Sequence, residues 1–203
     1  MLKVGITGNF HSGHREIVKH FYKSVTPVFD ADLMIKYLLN YNPKTIDKIK
    51  EKFGTSAYSW GKLDLFKFDT NGKFEKLLDT ITPEIFSKYK EFTNKNFKYP
   101  YTLFLSSILF EKDWDKEMNY TINVFNPNMV RKKQIMSKTK IDLNMIEFIL
   151  ENEMDEYSKN SKSNFVIHNY GGINLDFKVK NEILQIHSNI IRNFGNIDYI
   201  KTF

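Results

Sequence analysis

The sequence predicts an α/β domain built on a five-stranded parallel sheet with helices wrapped on both faces. Three observations predict it. Short apolar runs alternate along the chain with stretches of helical periodicity. One of these runs, Tyr101 to Phe110, carries only apolar, aromatic and hydroxyl side chains, as a strand buried on both faces must. A glycine-bounded loop, Gly8 to Gly13, joins the first run directly to the first helical stretch.

Val4 to Thr7, short and partly β-branched, reads as the first strand. After the loop, Ile17, Val18, Phe21 and Tyr22 fall at helical spacing, which predicts a helix over Glu16 to Lys23. Pro27 interrupts, and Val28-Phe29 forms a second strand running into Asp30-Ala31-Asp32. Leu33 to Leu39 reads as a helix closed by Pro43, and Thr45 to Phe53 as an amphipathic helix stopped by Gly54. Lys73 to Phe97 is helical throughout, with Pro83 placed in the first turn of a new helix. Tyr101 to Phe110 is the central strand, and Tyr120 to Phe125 the next, ended by Asn126-Pro127-Asn128. A basic segment from Met129 to Lys140 precedes a helix around Ile141 to Tyr157 and a polar loop over Ser158 to Ser163. Phe165 to His168 is the last strand, Asn169 to Gly172 a turn, and Leu175 to Phe194 the closing helix. With no repeat and no long linker, residues 1–203 read as one domain.

Composition narrows the function. A hydrophobic share of 41% and a charged share of 27% are those of a soluble globular chain, and no run approaches the roughly 18 apolar residues of a membrane helix. Met1 to Gly8 reads directly as strand, so no signal peptide is expected. The absence of cysteine excludes a disulfide framework, a thiolate metal site and a cysteine nucleophile, and is compatible with a cytoplasmic location. The net charge of +6 raises the question of nucleic acid, but 27 of the 30 basic residues are lysine. Dedicated base readers lean on the planar fork of arginine, and AT-rich codon usage explains much of the lysine, so nucleic acid is the least favoured partner. Attraction for small anionic nucleotides survives either way.

The loop carries the most specific signal. Gly8-Asn9-Phe10-His11-Ser12-Gly13-His14-Arg15 has the spacing of the phosphate-binding pattern G-x-x-x-x-G-K-[ST]. Its glycines let backbone N–H groups turn around a phosphate, and the helix that follows adds the positive end of its dipole. The lysine that would neutralise the terminal phosphates is His14, and the hydroxyl that would bind Mg²⁺ is Arg15. Arg15 either points elsewhere or replaces the metal as a phosphate partner. The bland alternative is a turn kept for folding. His11 and His14 lack a nearby carboxylate, so no metal site is expected there.

Further fragments occur in an order that resembles the dephospho-CoA kinase family. Val28-Phe29-Asp30-Ala31-Asp32 is similar to its V-I-D-A-D, and Phe53-Gly54 with Gly61-Lys62-Leu63-Asp64 to its F-G…G-x-L-D/N-R. Ile81-Thr82-Pro83-Glu84-Ile85 is similar to I-x-H-P-x-I, Ile108-Leu109-Phe110-Glu111 to P-L-L-F-E, and Val166 to Gly171 to V-I-x-N-x-G. The resemblance implies a three-layer P-loop kinase fold, with a helical substrate-binding insertion at about 60–100 and a lid at about 129–160. It implies ATP and Mg²⁺, a nucleotide or CoA-like ligand, a monomer or small homo-oligomer, and transfer of the γ-phosphate to the ribose 3′-hydroxyl of dephospho-CoA. By matching position, Asp32 would be the general base, Asn169 and Gly171 would lie beside the adenine, and Arg131 and Lys138 would serve the lid.

Departures accompany the match. The arginine after G-x-L-D is Leu65, the histidine before Pro83 is Thr82, and Glu153 and Glu156 stand where basic or amide residues are expected. Asp30 and Asp32 could also simply cap the following helix, and the basic run could be a solvated face. Three readings therefore stand: a kinase of altered phosphate chemistry, including a nucleoside or deoxynucleotide kinase; a non-catalytic nucleotide- or CoA-binding relative; and a basic nucleic-acid-binding domain. The scattered His20, His168 and His187 need no special role, and Trp60 and Trp114 are expected in the core or a substrate pocket.

Overall fold

The computed structural model describes residues 1–23, 26–68, 72–138, 146–147, 150–151, 153–170 and 175–200, with the backbone alone described at 22–23, 66, 138, 175–177 and 194–200. The chain divides into two compact units, Met1–Phe29 with Asn96–Phe203, and Asp30–Lys95.

The first unit is built on the sheet. Its strands are β1 (Leu2–Thr7), β2 (Val28–Asp30), β5 (Tyr101–Leu105), β6 (Tyr120–Phe125) and β7 (Phe165–His168), in the order β2-β5-β1-β6-β7. Parallel pairing sets Ile6 beside Leu105 and Ile122, and Phe125 beside His168, so the carboxyl ends of four strands reach one edge together. On one face, Ile17, Val18 and Phe21 of α1 (His14–Lys23) and Val179, Ile183, Ile186 and Ile190 of the last helix cover Val4, Ile6, Leu103, Ile122, Val124 and Ile167. Elsewhere Phe104 stacks on Phe29 at 5.7 Å and meets the edge of Trp114 at 5.8 Å. Trp114 is therefore core, as expected.

The five strands are those the sequence predicts, but β5 ends five residues early, at Leu105. Its last ladder bond runs from Ser106 N–H to Ile6 O, after which the Ser106 hydroxyl accepts from Ile108 N–H and turns the chain. Leu109 and Phe110 remain buried, which is why the apolar run reads as continuous. The polar stretch at Ser158 is not a loop either. Asp155 accepts from Ser158 N–H at 2.8 Å and caps a short helix, Glu156–Lys162. Residues 153–155 are not helical, and much of the helix expected around Ile141 to Tyr157 lies outside the described residues. The basic segment forms a helix over Asn128–Lys138, and the closing helix runs from Leu175 to Ile200. These and the helices below are numbered in chain order: Asn128–Lys138 is α5, Glu156–Lys162 is α6 and Leu175–Ile200 is α7.

The second unit packs α2 (Ala31–Tyr41), α3 (Pro43–Phe53) and α4 (Lys73–Lys95) around Leu38, Ile49, Leu77, Ile81 and Ile85. Asp30 caps α2 through Leu33 N–H, and Asn42 caps α3 through Thr45 N–H with Pro43 in its first turn, so both helices start earlier than periodicity alone indicates. Contrary to expectation, Pro83 starts no new helix: α4 passes through it as one helix of 23 residues. An unbroken buried stripe, Leu77, Leu78, Ile81, Ile85 and Tyr89, outweighs the missing amide. A two-stranded hairpin, β3 (Tyr58–Ser59) with β4 (Lys62–Leu63), turns at Trp60 and Gly61, both at positive φ. Trp60 is fully exposed at its tip, not packed as its size suggests. Among the described residues, no helix is long and apolar enough to cross a membrane.

Candidate phosphate-binding site

β1 ends at Thr7 in the middle of the sheet and α1 begins at His14, so Gly8 to Gly13 must reverse the chain over the strand ends. The reversal uses two left-handed positions, His11 at φ 58° and Gly13 at φ 86°. Such alternation turns successive N–H groups toward one side, which makes an anion-binding concavity. A tight turn from Ser12 N–H to Asn9 O, 2.9 Å, closes the loop, and Glu16 and Ile17 N–H both reach Gly13 O at 3.0 Å to start α1.

Both glycines are required by space. A Cβ on Gly8 would lie 2.3 Å from Ser12 Oγ and 2.9 Å from the carbonyl oxygen of Val124. A Cβ on Gly13 would lie 2.2 Å from Asn169 Nδ2, which donates to Ser12 O at 2.7 Å. Asn169 itself is fixed by its own N–H on Phe125 O, 2.8 Å. The residue expected beside the adenine thus bonds directly to the loop.

His14 is 92% buried, being 8% exposed, and its Nδ1 lies 3.1 Å from Ser12 Oγ. Its Nε2 is buried without a hydrogen-bond partner among the described residues. Burial, reinforced by the charges of Arg15 and Lys159, lowers its pKa to about 4. The position that would hold a lysine therefore holds a neutral imidazole at pH 7. When the Ser12 hydroxyl donates to Nδ1, Nε2 carries the ring proton and is a donor awaiting an acceptor. Arg15 is exposed on the first turn of α1.

Two other segments meet the loop. Asn9 Nδ2 donates to Met154 O at 2.9 Å, and the N–H of Phe10 donates to the carboxylate of Glu153. Arg131, fully buried, donates through Nη1 to Phe10 O at 2.7 Å and to Glu153 Oε2 at 2.8 Å. Its remaining donors go to Asn126 O, the Asn128 side chain and Glu156 Oε2. The acids that looked out of place in the sequence are its counter-ions. Lys159, 1% exposed, donates to Ser107 O at 2.9 Å and pairs with Glu111 at 2.8 Å. Thr7 Oγ1 donates to the same Ser107 oxygen at 3.4 Å, which puts the Lys159 ammonium beside the end of β1.

The model of the dephospho-CoA kinase family matches residues 2–174. The chain belongs to that family. It is 25% identical to a dephospho-CoA kinase of Rickettsia felis over 168 residues, covering 83% of this chain and 88% of that protein. A Fusobacterium nucleatum dephospho-CoA kinase is 26% identical over 181 residues, covering 86% and 93%. Among solved structures, the TT1252 protein of Thermus thermophilus superposes with a TM-score of 0.78 at 21% identity, covering 93% of this chain and 96% of that one. The dephospho-CoA kinase of Campylobacter jejuni gives 0.55 at 19% identity with the same coverage. These structures establish a P-loop kinase fold, with the parallel sheet the sequence predicts.

Within this family member, the structure brings Gly8 to Arg15, Asn169 and Arg131 together in the first unit. Asp32 belongs to the second unit, half-buried in the first turn of α2. Asp30 does the capping there, so the cap alone does not account for Asp32. Gly171 lies outside the described residues, and Lys138 closes α5 with its side chain outside them. The loop offers backbone amides and the neutral His14 donor toward phosphates such as those of ATP, and where the pattern has the Mg²⁺-binding hydroxyl it has Arg15, a cation that cannot ligate a metal. Sequence reasoning missed Lys159, because a lysine in a polar run gives no signal of burial. It named Glu153 only as a misfit; an acid where a base is expected was the one available clue.

Proposed function

We propose that this chain binds a nucleotide phosphate through the backbone amides of its loop and the neutral imidazole of His14, and that it phosphorylates dephospho-CoA only slowly. The carrying observation is the state of His14, buried, lowered in pKa to about 4, and with Nε2 unpartnered among the described residues. A neutral donor can bond a phosphoryl oxygen but cannot neutralise the charge that develops during transfer. Loss of one such donor costs about 10²–10³ in rate. The family supports ATP as the phosphate source and a CoA-like acceptor, and a cytoplasmic enzyme of small molecules, monomeric or a small homo-oligomer, fits the composition.

Calorimetric titration with ATP, in Mg²⁺ and in EDTA, tests the binding. Binding that persists in EDTA is expected, because the amides and Arg15 act without the metal. ADP release with dephospho-CoA tests the chemistry: a rate about 10²–10³ below the usual kinase range is expected, and His14→Lys with Arg15→Ser should raise it. Strictly Mg²⁺-dependent binding with ordinary turnover would overturn the proposal.

A second reading, an unimpaired kinase, draws on Asp32, since Asp30 already caps α2. In that case Asp32 accepts the 3′-hydroxyl proton as general base, and Asp32→Asn abolishes turnover while leaving ATP binding intact.

A further inference from the structure

We propose that Glu153 is a specificity-determining residue: its carboxylate holds the loop amide of Phe10 as a phosphate oxygen would, and limits how much negative charge the loop accepts. The inference rests on the loop binding a nucleotide, as proposed above, and concerns which nucleotide it prefers.

The Phe10 N–H belongs to the loop whose spacing marks it for phosphate, and its acceptor is an ionisable side chain from 143 residues away. A carboxylate and a phosphate oxygen make the same demand on an amide, a short charge-assisted bond, so they compete for it. The contact is not an isolated side-chain reach, because Asn9 Nδ2 independently pins the next residue, Met154, through its carbonyl oxygen at 2.9 Å.

The nearest buried cation cannot offset an incoming phosphate. Arg131 is fully buried and faces two carboxylates, Glu153 at 2.8 Å and Glu156 at 3.5 Å. One guanidinium against two carboxylates leaves a formal surplus of one negative charge. Lys159 is likewise paired, with Glu111 at 2.8 Å. His14 is neutral, so at the two substituted positions of the loop only the exposed Arg15 carries a compensating charge.

A phosphate chain entering the loop therefore meets fixed like charge in a poorly solvated place, and repulsion grows with each phosphate added. Glu153 thereby favours nucleotides of lower charge and disfavours a bare triphosphate. A merely structural buttress would not discriminate in this way.

The test is the affinity of the full chain for AMP, ADP and ATP in EDTA, measured by calorimetry for the wild type and Glu153→Gln. Glutamine keeps its one oxygen for Phe10 N–H and removes the charge together with the acceptor of Arg131 Nη1, while Glu156 remains to counter Arg131. The expected result is a gain of about tenfold for ATP, less for ADP and least for AMP. Asn9→Ala, which releases Met154, should shift ATP affinity in the same direction by a smaller factor and serves if Glu153→Gln does not fold. If the wild type binds ATP and neither variant tightens it, or the gain is equal for the three nucleotides, the inference is overturned and the loop reading stands. If neither wild type nor variants bind any of the three, the loop reading fails and the inference with it.

Discussion

The side-chain amide of Asn169 donates to the backbone carbonyl of Ser12 at 2.7 Å, joining residues 157 positions apart. The same Nδ2 occupies the space a Cβ on Gly13 would need, 2.2 Å away, so the end of the last strand dictates that the loop keep a glycine. Gly13→Ala should cost about 1–3 kcal/mol, from positive φ and this clash together. Asn169→Ala should cost about 1 kcal/mol, the worth of the bond. In the double variant the clash disappears while the φ strain persists, so the two costs should sum to less than additivity in urea unfolding. Strict additivity would show that the contact does not constrain the loop.

Acid should destabilise the protein through His14. Its folded pKa of about 4 lies below its unfolded value of 6.5, so below pH 6.5 the unfolded chain takes a proton the folded chain refuses. Stability is full above pH 6.5, falls as pH drops toward 4, and loses no more from this group below that. The whole effect is about 3 kcal/mol. His187, also lowered by burial, acts in the same direction. Unfolding midpoints of the wild type and His14→Gln, followed from pH 7 to 4, should converge as acid removes the wild type's advantage; parallel curves would contradict the buried neutral imidazole.

Lys159 contributes to that lowering, although desolvation leads it. Lys159→Met should therefore raise the pKa of His14 while leaving it below 6.5, as read from the imidazole resonances in an NMR titration. An unchanged His14 titration in a folded Lys159→Met protein would remove Lys159 from the loop's electrostatics.

Arg131→Ala should be among the most destabilising single changes, about 3–5 kcal/mol, because it strips two carboxylates of their buried counter-ion and leaves Phe10 O and Asn126 O without their donor. Arg131→Lys should recover only part of this, since an ammonium cannot span the five acceptors that the planar fork reaches. Chemical denaturation of the two variants checks both size and order.

Pro83→Ala should stabilise. Pro83 is exposed inside a continuous helix, where it withholds the amide that would bond Asp79 O. Alanine should add about 1–2 kcal/mol after allowing for the freer unfolded chain. A loss of thermal stability would mean that the proline shapes α4 against its neighbours.

The strands and the loop were legible because their signals are local. Val4 to Thr7 and Tyr120 to Phe125 are mostly apolar because they are buried on both faces, Gly13 must be glycine to turn as it does, and Gly8 must be glycine to clear Ser12 and Val124. The misreadings share one cause. Pro83, Ser158 to Lys162 and the tail of Tyr101 to Phe110 each carry a local preference that packing overrode: a buried stripe, a buried Lys159 with an Asp155 cap, and a serine turn.

By itself the amino-acid order determined the layered sheet, the place of the Gly8 to Arg15 loop and the presence of His14 and Arg15 at its end, since backbone geometry and residue chemistry at single positions decide these. Tertiary structure alone decided that His14 is neutral, that Arg131 is paired with Glu153 and Glu156, and that Glu153 holds an amide of the loop. Those depend on which distant charges meet and how far water is excluded, and electrostatic energy depends on distance and solvation rather than on position in the chain.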